Sequence, residues 1–283
     1  MTTAQTATDA PALQSSAAPA PGGRPGVLLP ALSLCRREIT RFLRQRHRIV
    51  GALATPLVFW LLIGGGIGQS ISFPGGAGQS YLQYFFPGTL LMILLFTAIF
   101  SMISVIEDRR EGFLQSVLVS PAPRQAVVLG KVLGATLLAS GQGAIFLALG
   151  PLAGLRFGPP ALLGALGAML LMSFALSSLG FVIAWRMSST QGFHAIMNLF
   201  LMPMWFLSGA LFPPQNAWWG LRALMAINPL TYGLDLLRHL LAPRTEAAAG
   251  DAALSLIVTA AFAVALYLVA AWVARRNGPA ELL

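Results

Sequence analysis

Two pairs of side chains in the sequence have the types that hydrolytic chemistry uses. Ser208 lies in a Leu-Ser-Gly turn typical of a serine nucleophile, and His194 is the candidate base for it. On a single helix these two residues are about 20 Å apart, which is too far for proton transfer. Asp235 and His239 are four residues apart, as in pairs that only stabilise a helix. We therefore predict no catalytic residue, and a membrane-embedded enzyme remains the alternative from another class of protein.

Two stretches have part of the pattern of a phosphate-binding loop. Such a loop ends in Gly-Lys-Ser/Thr, but Gly130-Lys131 is followed by Val132, and Gln125 stands where the first glycine belongs. The glycine run at 64–68 ends an apolar segment instead of following a strand. No nucleotide, cofactor or metal site is therefore predicted in this chain. Small residues predict close helix contacts instead, at 64–68 and at the pairs Gly130/Gly134 and Gly164/Gly167.

The segment 107–131, EDRREGFLQSVLVSPAPRQAVVLGK, is charged and lies between two long apolar segments. Its charges are concentrated at 107–111, and apolar residues then recur at a spacing that places them on one helical face. Ser120-Pro121 ends the pattern. The segment predicts an interfacial helix between two membrane spans, and a solvated connecting loop is the alternative. The apolar face consists of Phe113, Leu114, Val117 and Leu118.

This segment resembles the coupling-helix signature of the membrane subunits of ABC-2 type exporters. The features that carry the resemblance are the charged start, Glu111-Gly112, the apolar face closing on Ser120-Pro121, and a Leu-Gly-Lys that opens the next span. A second signature, Asn228-Pro229-Leu230-Thr231-Tyr232, precedes the last span. The resemblance extends over nearly the whole chain after Val27, and it departs from the family at Gln115, where relatives often carry an acid. It implies contact with an ATPase through Glu107, Asp108, Arg109, Arg110, Glu111, Gly112, Phe113, Leu114, Val117, Leu118, Ser120 and Pro121.

The composition indicates a polytopic membrane protein. Hydrophobic residues make up 56% of the chain and charged residues 10%, well below the roughly 25% of soluble domains. The mean hydropathy is +0.74. A net charge of +9 would suggest nucleic acid in a soluble protein, but here the basic residues flank apolar segments, so no nucleic-acid partner is predicted. Cys35 is the only cysteine, which excludes an intrachain disulfide.

Before the first span, the sequence changes from a low-complexity tail to an amphipathic helix. Residues 1–26 are mostly Ala, Pro, Ser, Thr and Gly, which predicts a disordered tail. Residues 27–48 predict a basic helix lying on a membrane surface, and a nucleic-acid-binding arm is the alternative. Its apolar face is Leu32, Cys35, Ile39, Phe42 and Leu43, and its basic face is Arg36, Arg37, Arg41 and Arg44.

Six segments contain the roughly 20 largely apolar residues needed to cross a hydrocarbon core about 30 Å thick. The predicted fold is therefore an all-α polytopic membrane protein, and the resemblance makes 27–283 one ABC-2 type transmembrane domain. A short turn at Arg156 and Pro159-Pro160 makes the third and fourth spans antiparallel neighbours. The predicted spans are 49–68, 84–106, 132–152, 161–185, 195–212 and 253–273.

The distribution of lysine and arginine predicts the orientation. Of the 18 basic residues, the predicted spans leave 14 on the side of the termini and only four on the other side. The positive-inside rule then places both termini, and the segment after the second span, in the cytoplasm. The expected location is the inner (plasma) membrane.

The segment 213–239 lies on the outer side in this topology and has the pattern of two short helices. Trp218 and Trp219 favour the headgroup interface, and Asn228-Pro229 breaks the helix. The resemblance implies that these helices re-enter the outer leaflet. A helix that only lies on the surface is the alternative.

The resemblance also implies a function. The chain would be the permease subunit of an ATP-driven exporter. It would form a homodimer or pair with a similar subunit, and it would bind two copies of a cytoplasmic ATPase that carries ATP and Mg. The expected cargo is a hydrophobic small molecule or lipid-like substrate, with a lipid-linked polysaccharide or glycolipid as the alternative. Candidate residues lining the passage are Phe85, Phe86, Phe100, Phe206 and Phe212.

Overall fold

The computed structural model describes residues 26–70, 80–119, 123–241 and 251–276, and within these ranges the regular structure is helical throughout. The predicted tail lies outside them except for Gly26. The eleven α-helices of the described ranges are α1 (Leu28–Arg44), α2 (Arg46–Ser70), α3 (Tyr81–Ser101), α4 (Ile103–Arg110), α5 (Phe113–Val119), α6 (Arg124–Leu147), α7 (Pro159–Arg186), α8 (Thr190–Phe206), α9 (Trp219–Ile227), α10 (Pro229–Leu241) and α11 (Ala252–Arg276).

Five stretches of helix among the described residues are long and apolar enough to cross a membrane. They correspond to five of the six predicted spans. The predicted span 195–212 falls on α8, which has 17 residues and ends at Phe206 in a turn. The structure therefore does not confirm six spans. The five stretches are Ile49–Gly66, Tyr81–Arg110, Arg124–Leu147, Pro159–Arg186 and Ala252–Arg276.

The helix pair α3 and α4 forms the centre of the bundle. It packs against α2, α6 and α7, and almost every side chain of α3 is buried. Phe86 shows the packing: its ring stacks on Phe146 at 4.7 Å and meets the edge of Trp60 at 5.7 Å. The stretch Tyr81–Arg110 has 30 residues, so it is about 45 Å long and exceeds a hydrocarbon core of about 30 Å. Its charged end therefore extends beyond the apolar layer.

Helix α1 crosses α6 at a pair of glycines. A Cβ atom at Gly130 would come within 2.7 Å of the Ala31 carbonyl oxygen, and one at Gly134 within 2.9 Å of Glu38 Cβ. The predicted close contact at this pair is confirmed, and α1 is the helix that makes it. At the other predicted pair, a Cβ atom at Gly164 would come within 2.7 Å of Leu240 of α10, whereas Gly167 faces open space.

The face of α1 that contacts α6 differs from the predicted apolar face. Cys35 and Phe42 are buried, whereas Leu32 and Leu43 remain exposed. Periodicity alone predicts one apolar face, but this helix has apolar side chains in two directions. One direction packs on the protein, and the exposed one is available to a membrane surface.

Candidate coupling site and membrane cavity

Seven charged side chains at one end of the bundle form a charged cluster that joins α1, α4 and α6. At its centre is Asp108, which is 0% exposed and belongs to α4. Arg37 donates to both carboxylate oxygens of Asp108 at 2.9 Å, and Arg41 donates to Oδ1 at 2.8 Å. A bidentate pair of this kind fixes the relative orientation of the two side chains as well as their distance. The charged cluster consists of Arg37, Glu38, Arg41, Glu107, Asp108, Glu111 and Lys131.

Lys131 connects α6 to the charged cluster. It is only 1% exposed, and its ammonium contacts Asp108 and lies 2.7 Å from Glu38 Oε1. It also donates to Ser104 Oγ at 3.1 Å. A buried ammonium with several oxygen partners has its hydrogen bonds satisfied, which a buried charge requires. The lysine that opens the third predicted span therefore holds α1, α4 and α6 in one arrangement.

The outer part of the charged cluster is more open to solvent. Arg41 donates to Glu107 Oε2 at 2.9 Å and is 3.5 Å from Glu111 Oε1. The Glu107 side chain is 31% exposed and that of Glu111 59%. Exposed ion pairs contribute little to stability, so the tight part of the charged cluster is the part around Asp108.

Arg109 extends the same end of the bundle to α7. Its guanidinium donates to the backbone carbonyls of Trp185 and Met187, at the end of α7. These carbonyls have no partner within the helix, and a cation there also complements the helix dipole. Arg110, in contrast, is exposed. The predicted charged run therefore contains residues with two different roles.

The structure divides the predicted interfacial helix into two. Residues Glu107 to Arg110 belong to α4, which continues the long central helix, and the chain then turns at Gly112. Gly112 has φ +75°, a conformation that favours glycine. Only α5 follows as a separate short helix. The sequence pattern did not show this turn because helical spacing continues on both sides of it.

The apolar face of α5 packs partly on the chain itself. Leu114 is 2% exposed and belongs to the core, while Val117 and Phe113 are half-buried against it. The guanidinium of Arg37 lies 3.7 Å from the centre of the Phe113 ring. The four predicted residues therefore do not form one free face. The side chain of Leu118, together with Ser120 and Pro121, lies outside the described part of the chain.

The second signature forms a joint between three helices. Asn228 donates through Nδ2 to the Met204 carbonyl of α8 at 2.6 Å, and its Oδ1 accepts from the backbone of Leu230 at 3.1 Å. Thr231 donates to the Met225 carbonyl at 2.6 Å and Tyr232 to that of Ala226 at 2.9 Å, both in α9. Side chains of the signature thus stabilise the junction between α9 and α10. Pro229 is the first residue of α10.

A cavity of about 520 Å³ opens between α2, α3 and α8. Phe100, one of the predicted passage residues, lines it. Phe85 and Phe86 are fully buried in the core, and Phe206 is exposed elsewhere, with Phe212 half-buried. Aromatic residues in an apolar helix give no sequence signal that separates these environments.

The candidate hydrolytic residues have other partners. Ser208 is buried and donates to the Trp205 carbonyl at 2.6 Å, and the His194 ring lies tilted against Phe100, with the ring centres 4.8 Å apart. Asp235 accepts from Ser255 of α11 at 3.1 Å, and its carboxylate is 3.8 Å from His239 Nδ1. Ser208 and His194 thus each have a different neighbour, and the pair Asp235 and His239 is joined to α11 through Ser255.

Glu38 and Lys131 belong to the charged cluster although the sequence pattern did not predict them as site residues. Glu38 is a lone acid in a basic helix, and Lys131 is a lone cation at the start of an apolar segment. An isolated charge in such a place needs a partner of opposite charge, and this need was the sequence signal that could have indicated an ion pair. It did not identify which partner, because Glu38 and Lys131 are 93 residues apart.

Comparisons with known proteins agree with one another. A family model described as ABC-2 type transporter matches residues 31–242. The putative transport permease ycf38 of Cyanophora paradoxa is 24% identical over 210 residues, 73% of this chain and 72% of that protein. Nodulation protein J of Rhizobium leguminosarum bv. trifolii is 29% identical over 199 residues, 68% of this chain and 73% of its own. The probable multidrug ABC transporter permease YbhR of Escherichia coli (strain K12) is 28% identical over 167 residues, 56% of this chain and 44% of its own.

Proposed function

The chain belongs to the ABC-2 type transporter family, and from this premise we propose that it is the permease subunit of an exporter that moves a hydrophobic small molecule or lipid-like substrate out of the cytoplasm. The match to the family model over residues 31–242 carries the proposal. Members of this family are membrane-embedded transport subunits of ABC transporters. Export and the substrate class are the steps that go beyond the family.

The names of the relatives differ in what they describe. One is described as a probable multidrug permease and another as a nodulation protein. The cavity beside Phe100 is apolar for most of its length, which favours a hydrophobic small molecule or lipid-like substrate. A lipid-linked polysaccharide or glycolipid is the second candidate, since an amphiphile with a large head also needs an apolar chamber.

A separate ATPase subunit would supply the energy. The family implies an ABC ATPase partner, and we propose two copies of it, with ATP and Mg held there and no cofactor on this chain. The end of the bundle that carries the charged cluster and α5 is the proposed contact. The exposed sides of α2 and α8, with Leu62 69% and Leu199 70% exposed, would face lipid or a second permease subunit in a homodimer.

The proposed topology has six spans, and both termini lie in the cytoplasm. The proposed location is the inner (plasma) membrane. Helix α8 is the additional crossing, because 17 residues reach about 25 Å and the turn after Phe206 extends it. The re-entrant arrangement of α9 and α10 is part of this proposal. It is supported by Trp219 and Ile227, which are 81% and 79% exposed although they are apolar.

Cysteine labelling is expected to place α5 inside the cell. Burial raises the pKa of the Cys35 thiol and nearby Glu38 raises it further, so the native cysteine reacts slowly; Cys35→Ala removes it entirely. In that background, Ser116→Cys should resist an impermeant maleimide added to intact cells and react after lysis. Trp219→Cys, on the opposite side, should react from outside. Labelling of Ser116→Cys in intact cells would contradict the orientation.

Co-purification with an ATPase tests the function directly. We expect the purified chain alone to hydrolyse no ATP and the complex with its ABC ATPase, reconstituted in liposomes, to hydrolyse ATP and move a hydrophobic substrate in one direction. A Walker-motif variant of the ATPase is the control for both activities. ATP hydrolysis that co-purifies with this polypeptide after every ATPase has been removed would contradict the proposal.

A further inference from the structure

The cavity follows one face of the central helix. Its walls on α3 and α4 include Met92, Phe96, Phe100, Ile103 and Glu107, which recur every three to four residues and share a face. The interval from Met92 to Glu107 covers about 22 Å at 1.5 Å per residue. A length of this order and a volume of about 520 Å³ are in the range of small-molecule sites.

The polarity of the cavity changes along its length. At one end it is bounded by Met92 and Met202, and in the middle Phe96 and Phe100 lie 5.6 Å apart. His194 lies against Phe100, and Glu107 is about two helical turns further along, at the other end. One end therefore suits an apolar or aromatic body, and the other suits a polar head.

The head region has a negative character. Glu107 is the one Asp, Glu, Lys or Arg side chain among the described residues that line the cavity. Its Oε2 accepts from Arg41, but Arg41 also contacts Asp108 and Glu111. In the charged cluster as a whole, four carboxylates face three cations, which leaves one negative charge in excess. The rings of Phe96 and Phe100, which line the same cavity, add to the attraction for a cation.

We propose that this cavity binds an amphiphile with an apolar or aromatic body and a cationic head, the head lying between Glu107 and the Phe100 ring. The proposal rests on the proposed transport function and specifies its substrate class. A second copy of the chain is a less suitable occupant of the cavity. The cavity is apolar at one end and has a single acidic side chain about 22 Å away at the other, which fits an amphiphile better than a helix face.

Binding of two probes of the same shape and opposite charge tests the head. The permease, without ATPase, is placed in lipid nanodiscs, and equilibrium dialysis measures tetraphenylphosphonium and tetraphenylborate after subtraction of empty nanodiscs. We expect saturable binding of the phosphonium ion and none of the borate. Glu107→Gln should weaken phosphonium binding about five- to tenfold. Glu111→Gln removes the same formal charge from the charged cluster but outside the cavity, and it should weaken phosphonium binding much less than Glu107→Gln does.

A second pair of variants tests the location. Gly51 lines the cavity with open space around it, so Gly51→Leu should fill the chamber and abolish phosphonium binding. Gly65→Leu, on the same helix and also in open space but outside the cavity, should retain it. The thermal midpoint of each variant shows whether it has folded.

Four results would overturn the proposal. Equal saturable binding of both ions, or an unchanged phosphonium affinity in Glu107→Gln, would show that the head is not cationic. Full binding in folded Gly51→Leu would place the probe elsewhere. If Gly51→Leu dissociates a dimer of the chain and phosphonium binding is retained, the cavity is a subunit interface and not the binding site. None of these results involves the ATPase, so the transport function is judged separately by the reconstitution.

Discussion

Replacing Lys131 by methionine is expected to destabilise the folded chain by about 3–5 kcal/mol, because two buried carboxylates lose the cation that they share. Lys131 is 1% exposed and contacts Asp108 and Glu38, which are 0% and 7% exposed. Methionine fills a similar volume, so the cost comes from charge and not from a cavity. The measurements are the thermal midpoint of purified protein, followed by tryptophan fluorescence, and abundance in the membrane.

Two further variants separate the loss of pairing from a general effect of charge. Arg110→Met removes an exposed cation from the same end of the bundle and should change the midpoint little. Lys131→Met combined with Asp108→Asn removes one charge of each sign and leaves Glu38 with Arg37 at 3.1 Å. The double variant should therefore be more stable than Lys131→Met alone. A wild-type midpoint for Lys131→Met would contradict the role given to the charged cluster.

Neighbouring substitutions in α5 should separate folding from ATPase binding. Leu114→Asp is expected to lower membrane abundance severely, since it loses about 1.5–3 kcal/mol of burial and puts an unpaired carboxylate in the core. Phe113→Glu should fold, because the new carboxylate lies beside Arg37, which is 3.7 Å from the native ring. If Phe113 also contacts the ATPase, the same variant should weaken assembly at least tenfold.

Membrane abundance and ATPase co-purification, measured together, distinguish these outcomes. Ser116→Ala, an exposed position on the same helix, is the control and should match the parent in both. Normal abundance of Leu114→Asp would mean that Leu114 is not a core residue in the assembled protein. Phe113→Glu with normal abundance and normal ATPase recovery would remove Phe113 from the proposed contact.

Much of the fold was predictable from apolar length and charge asymmetry. Five of the six predicted spans coincide with stretches long and apolar enough to cross a membrane. The family was also predictable, because Glu111-Gly112 and Asn228-Pro229 are part of local signatures. These features depend on residues close together in sequence. Sequence patterns are most informative at that range.

The parts that were not predictable depend on which way a side chain faces. Phe86 is in the core and Phe100 lines a cavity, although both lie in the same apolar helix. In a membrane helix the protein-facing and lipid-facing sides are both apolar, so the periodic signal that separates them in soluble proteins is weak. For the same reason, one apolar face was predicted for α1, whereas the structure has apolar side chains on two sides of this helix.

The pairing of Glu38 with Lys131 also has a consequence for the biosynthesis of the protein. The two residues are 93 positions apart, so translation at 5–20 residues per second separates them by roughly 5–20 s. During that interval α1 has been made, while the glycine-marked surface of α6 on which it will pack does not yet exist. The exposed leucines and arginines of α1 suit a stay at the membrane surface during this time. The helix therefore reaches its final position late, after the third span has been inserted.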